Sequence, residues 1–355
     1  MKSPDLDVLV RTGFRPANLP PKSPKEKERH LAHVEAIISS VSVSPNSIRI
    51  ARESEKRALD ALWRTELMTG PSLELTEQMK RLWEEYGLPS QLVRSVVWPW
   101  SASGFSDSPT VYEPLLTDPG EDTVKLIGID VRRTLPFLGF HVSAEEESSE
   151  SLKELKCVEV LKKFSVLHPH IGYTQGMSYV CVRLMMELSF EAAKCLVCLE
   201  RILIESPTVS CMYRLDLREI KNGAEFVLDS IAWDNVPRLW MLLKSMKFAV
   251  VDWFFLEWTL TMFVKNFGIK ISGFILDLFF LKGDVVLYKS AIAALSIVED
   301  ELLDLEDSES IRGLIGQIGD KTDLENFTKT FHEIVVPAAV FEIIDQGKVF
   351  HINNS

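Results

Sequence analysis

Two short stretches of the 355-residue sequence carry side chains whose types and spacing could do chemistry. The first holds Asp130, Arg133, Thr134 and Pro136; the second holds Tyr173, Gln175, Gly176 and Met177. Asp130 and Arg133 stand three residues apart, a spacing at which a carboxylate and a guanidinium can pair on one helical turn. Such a pair would hold the guanidinium in place, and Pro136 would end the turn and leave Arg133 near a loop edge. Gln175 lies between Tyr173 and Gly176, and a glycine admits close approach of another backbone. Arginine supplies fixed charge and five planar donors, and glutamine supplies both a donor and an acceptor. Together they suit the placing of a water beside a phosphate, and neither suits removal of a proton. The same residues also fit a surface ion pair and a turn, and physics alone leaves those two readings open.

Other patterns break when tested against the chemistry they imitate. Gly316 and Gly319 precede Lys321-Thr322, but a phosphate loop needs glycine where Asp320 stands, and an acid there repels phosphate. Gly176, Ser178 and Val180 fall one glycine short of a nucleophile elbow. Cys195 and Cys198 have metal-like spacing, but no second pair matches them and their neighbours are apolar. His168 and His170 lack a third ligand nearby and read as loop residues. No metal site is expected. Five cysteines in apolar surroundings read as reduced thiols of a cytoplasmic protein.

The elements that must position these residues are helices. Leu59, Leu62, Trp63 and Leu67 recur at helical spacing, as do Leu75, Met79, Leu82, Trp83 and Tyr86 before a stop at Gly87. Leu152, Leu155, Val158 and Leu161 mark another amphipathic helix. Apolar residues dominate 177–204, and Pro337 should split a last helix over 324–346. Strand alternation is scarce, so the fold class is all-α. Residues 1–50 are rich in Pro, Ser and Lys, and residues 1–70 read as an irregular, partly disordered arm with one or two helices, one near 26–39. The arm carries the basic charge: residues 1–64 hold 12 Lys+Arg and 8 Asp+Glu, against a net −12 for the whole chain. An acidic body argues against nucleic acid as a partner. The longest uncharged run, 164–182, is too polar to span a bilayer.

Three patterns in fixed order, Arg94-x-x-x-Trp98, Ile127-x-x-Asp130-x-x-Arg133-Thr134-x-Pro136 and Tyr173-x-Gln175-Gly176-Met177, resemble the signature of the TBC domain, the catalytic module of Rab GTPase-activating proteins. The stretches at Val111–Leu116, Pro237–Leu239, Glu257–Phe263 and Asp277 are similar to the family too. The resemblance covers roughly 87–305, about 220 residues, which implies a two-subdomain helical body with a catalytic part over 71–220 and a C-terminal part with its tail over 221–355. It implies that Arg133 and Gln175 are catalytic fingers inserted beside a bound GTP. Asp130 would then hold Arg133, Tyr173 and Gly176 would shape the Gln175 loop, and Thr134 would lie beside the partner's switch regions. Arg94 and Trp98 would be scaffold. The implied partner is a Rab-family GTPase in its GTP form, which brings the nucleotide and Mg²⁺, so no cofactor is expected. Membrane contact would be peripheral, through that partner, in the service of vesicle traffic. A non-catalytic Rab-binding scaffold is the alternative. The chain departs from the family at Thr174, usually Cys, at Ser178, often Asn, and around Asp277, where Phe274 and Leu276 replace the usual Arg and Trp.

Overall fold

The computed structural model describes residues 45–69, 75–105, 117–139, 147–213 and 217–345. All regular structure among them is helical, with no strand. In chain order the helices are α1 (Pro45–Thr69), α2 (Glu77–Tyr86), α3 (Gln91–Ala102), α4 (Glu121–Phe137), α5 (Glu147–Leu167), α6 (Met177–Glu187) and α7 (Ala192–Glu200). They continue with α8 (Pro207–Met212), α9 (Leu217–Asn235), α10 (Pro237–Ser245), α11 (Leu256–Leu260), α12 (Val264–Lys282) and α13 (Val285–Ile297). The last are α14 (Glu299–Leu303), α15 (Ser308–Gly316), α16 (Leu324–Glu333) and α17 (Ala338–Asp345). The all-α expectation therefore holds. The short helix expected near 26–39 and the stretch 111–116 lie outside the described residues.

The chain divides into two units, 1–55 and 56–355. Of the first, the described part is the start of α1. The second unit begins inside the stretch read from sequence as the arm. The reason is apolar: Leu59 and Trp63 are buried, and the Trp63 ring meets Trp83 edge-on at 5.9 Å. Two tryptophans packed this way bury large apolar area and hold the residues from Lys56 onward to the body.

Local signals explain where helices start and stop. Thr76 accepts a hydrogen bond from the Met79 backbone N–H, and Gly87, at φ 72°, closes α2. Asp307 and Asp323 cap α15 and α16 in the same manner as Thr76. Pro337 separates α16 from α17, as its lack of an N–H dictates. The core centres on α12 and α13. Helix α13 is buried almost all round, from Val285 to Leu295, and α12 packs on α2, α3, α6, α13 and α16.

One expected face moved. Leu152 and Leu155 are more than half exposed, while Cys157, Val160, Leu161 and Phe164 are buried. A spacing of three lags the 3.6-residue turn, so a run of leucines three apart winds off the face that the i, i+3, i+4 set occupies.

Candidate functional site

Helix α4 presents two consecutive arginines outward, and they differ in what they touch. Arg132 donates to Glu154 of α5 at 2.9 Å. Arg133 is exposed and has no side-chain hydrogen bond or ion pair among the described residues. The expectation that Asp130 holds Arg133 is therefore corrected. Asp130 is 5 % exposed, and its Oδ2 accepts from the Tyr173 hydroxyl at 2.9 Å. Asp130 falls on the side of α4 that faces the 168–176 loop, so the phenol takes it. Burial first, and then the Asp130 charge, push the Tyr173 phenol far above its ordinary pKa, which keeps it a hydrogen-bond donor.

Thr134 needs a second correction. It was expected beside the partner's switch regions, yet it is 1 % exposed. Its hydroxyl lies 2.8 Å from the Asp130 carbonyl and 2.9 Å from Ser178 Oγ of α6. Thr134 sits one turn beyond Asp130, on the same inward face. These two residues tie α4 to the turn and helix that follow Tyr173.

Gln175 stands at the tip of that turn. It is exposed and, like Arg133, makes no side-chain hydrogen bond among the described residues. Gly176 follows at φ 109° and immediately precedes α6 as its N-cap. That backbone conformation favours glycine. A Cβ there would lie 3.8 Å from the Leu260 carbonyl and from Thr261 Cγ2, so there is room, and the requirement is conformational. The structure thus places two free polar side chains, Arg133 and Gln175, on elements whose adjoining residues are bonded to one another.

Arg94 and Trp98 lie elsewhere, in a buried charge cluster. Asp277 of α12 accepts from Arg94 Nε at 2.9 Å and Nη2 at 2.7 Å, from Trp98 Nε1 at 2.9 Å and from the Leu88 backbone N–H at 3.0 Å. Glu187 joins Arg94 to Arg183, whose Nη1 it meets at 2.6 Å. Burial opposes charge on Arg94, Arg183 and Asp277, and it holds Asp277 above the usual carboxylate range. On Arg94 burial is the largest single effect, but the attraction and hydrogen bonds of Asp277 and Glu187 together outweigh it, and the guanidinium stays charged. Arg183 and Glu187 were not singled out from sequence, although a charged pair four apart inside an apolar run was the available signal. Gly273 completes the packing: a Cβ there would come within 2.7 Å of Arg183 Nη2.

The substituted positions around Asp277 are core. Phe274 meets Phe331 edge-on at 5.5 Å, and Leu276 is fully buried. His168 Nε2 lies 2.8 Å from Glu200 Oε1, so the carboxylate that sequence proximity lacked comes from α7. No group of three metal-type ligands occurs among the described residues. Cys157, Cys181, Cys195 and Cys198 are free and buried. The phosphate-loop look-alike has a packing explanation: a Cβ on Gly319 would lie 1.9 Å from the Asn266 carbonyl oxygen.

Residues 91–303 match the model of the Rab-GTPase-TBC domain family, well over half of the chain. The chain belongs to that family. It is 23 % identical over 330 residues to TBC1 domain family member 12 of Xenopus tropicalis, covering 82 % of this chain and 46 % of that protein. It is 29 % identical over 235 residues to a putative GTPase-activating protein of Emericella nidulans, covering 63 % of this chain and 19 % of that protein. The chain thus spans less than half the length of these relatives. Among solved structures, the Chlamydomonas flagellar RabGAP TBC domain matches with a TM-score of 0.59 at 18 % identity, over 80 % of this chain and 96 % of that one. This likeness supports the helical TBC fold. Among the described residues no helix is long and apolar enough to cross a membrane.

Proposed function

We propose that this TBC-family chain accelerates GTP hydrolysis on a Rab-type small GTPase, supplying Arg133 and Gln175 in trans. The observation that carries this reading is the contrast between the two arginines of α4. Arg132 is engaged with Glu154, and Arg133 is exposed and unengaged beside a backbone that is pinned. A guanidinium free to move only from its own side chain outward suits the charge that builds on a transferring phosphoryl group. Gln175 would orient the attacking water. Asp130, Tyr173, Thr134 and Gly176 act behind them: they fix where the two side chains start. GTP and Mg²⁺ arrive with the GTPase as its substrate and ion. The 71–220 part would carry the fingers and the 221–355 part would support them. Action at an endomembrane would follow from where the Rab resides.

The test is phosphate release from a panel of GTP-loaded Rab proteins, with the native chain, Arg133→Ala and Gln175→Ala. An arginine supplied in trans is worth roughly 10³–10⁵ in rate. We expect stimulation of at least one Rab and loss of most of it in Arg133→Ala, with an unchanged thermal midpoint. Binding of GTP-loaded Rab without any stimulation would instead favour the scaffold. Stimulation untouched by Arg133→Ala would sink the finger assignment.

A further inference from the structure

A cavity of about 490 Å³ lies in the second unit, between α1, the 87–90 turn and α12. That volume is in the range of small-molecule sites. Six charged side chains line it: Arg57, Asp60, Arg64, Arg94, Lys270 and Asp277. Both carboxylates are already taken. Asp60 accepts from Arg64 at 2.6 Å and from the Ser90 hydroxyl at 3.0 Å. Asp277 is fully engaged by Arg94, Trp98 and Leu88. Arg57 and Lys270 are exposed and make no side-chain hydrogen bond or ion pair among the described residues. The wall is therefore cationic in a chain of net charge −12. Apart from Tyr86 and Ser90, the rest of the lining is apolar, including Leu59, Leu88, Phe274 and Leu324. None of the residues around Arg133 or Gln175 borders it.

An apolar chamber with two free cations on its wall is matched by one kind of ligand. We propose that this cavity binds an amphiphilic organic anion, its phosphate or carboxylate head paired with Arg57 and Lys270 and its apolar body against Phe274 and Leu324. A small inorganic anion would leave the apolar lining unused. An uncharged apolar molecule would leave the two cations without partners, and they carry the selectivity for charge. The same head and body exist free in solution and as part of a lipid in a bilayer, and the two sources share this chemistry.

The full chain is titrated by calorimetry with octyl phosphate, with octanol and with inorganic phosphate. Octyl phosphate should bind with one-to-one stoichiometry and more tightly than either fragment. The Arg57→Glu/Lys270→Glu double variant should weaken it about tenfold or more, and Arg57→Lys/Lys270→Arg should hold it within about threefold. Both side chains are exposed, so folding should survive. A salt titration of the native chain gives an independent readout, since affinity for the anion should fall as ionic strength rises. Sedimentation with phosphatidylcholine vesicles, with and without phosphatidic acid, separates the sources. Binding to the free amphiphile alone assigns a soluble ligand. Sedimentation that needs phosphatidic acid and is lost in the double reversal assigns a lipid. The proposal is overturned if octyl phosphate binds no better than octanol and acidic vesicles do not bind either, or if the double reversal leaves binding intact. Binding of an acidic peptide such as oligoglutamate without octyl phosphate would overturn it as well.

Discussion

The Tyr173 hydroxyl donates to Asp130, and this bond takes the carboxylate that the spacing alone would have given to Arg133. The charge of Asp130 is spent inside the body, and Arg133 is left with none of it. The aspartate therefore governs where the turn bearing Gln175 sits against α4.

Tyr173→Phe removes that bond and keeps the ring. It strands a buried carboxylate, which costs about 1.5–3 kcal/mol of stability. A displacement of about 1 Å at reacting groups can cost on the order of 10² in rate. We expect GTPase stimulation to fall by about that factor while affinity for the GTP-loaded partner stays within about threefold. Single-turnover phosphate release and a binding titration on the same variant separate the two. Equal losses in both would point to a docking role for Tyr173.

Gly176→Ala tests the conformation and spares the packing. With 3.8 Å of room around the new methyl group, the cost comes from a sparsely populated positive φ alone, about 1–3 kcal/mol. Thermal unfolding should show a modest shift. Stimulation should drop by more than that shift explains, because the turn would re-aim Gln175. A variant with normal rate and a lowered melting point would mean that the turn tolerates another geometry.

Asp277→Ala leaves Arg94 charged and buried without its main partner. Removing one member of a buried pair typically costs about 3–5 kcal/mol. Denaturant titration should show this loss for Asp277→Ala. The Arg94→Met/Asp277→Leu double variant should cost less than the sum of its single changes, because the groups share one network. Additive losses would show that the charges act independently.

Asp307 offers a pH readout at the start of α15. The Ser310 hydroxyl, the Ser310 backbone N–H and the Glu309 backbone N–H all donate to its carboxylate and hold its pKa below the usual value. The cap therefore stabilises the helix above the unfolded-state pKa, about 3.9, and is lost as pH falls through the lower folded value. Amide exchange in the first turn of α15, corrected for its intrinsic rate, should accelerate as pH drops below about 4. Asp307→Asn keeps a capping oxygen and should flatten that dependence. An unchanged profile in Asp307→Asn would assign the fraying to another group.

Much of this was legible in the sequence because it depends on local rules. Helical spacing located Trp63 and Trp83, Gly87 marked the end of α2, and Pro337 divided the last helices. Three ordered motifs led to the family that residues 91–303 match. What sequence missed is tertiary choice. Asp130 could pair with Arg133 along its own helix, and only the approach of Tyr173 from 43 residues away decides otherwise. The family resemblance put Thr134 beside the partner's switch regions, but one step around α4 from Arg133 turns it inward. Arg183 reads as an interruption of an apolar helix until Glu187 and Asp277 surround it. The leucines of α5 misled because a spacing of three drifts around the cylinder.

The two inward bonds of α4, Asp130 with Tyr173 and Thr134 with Ser178, are one helical turn apart, about 6 Å along the axis. A rod pinned at a single point can still roll, whereas one pinned at two points on the same side cannot. The azimuth of Arg133 is thereby set by its neighbours, whatever its own side chain does. Leu126, Ile129 and Phe137, exposed on the same helix, share that locked bearing. Substitutions among them would change what the helix offers a partner and leave unturned the axle on which the guanidinium is mounted.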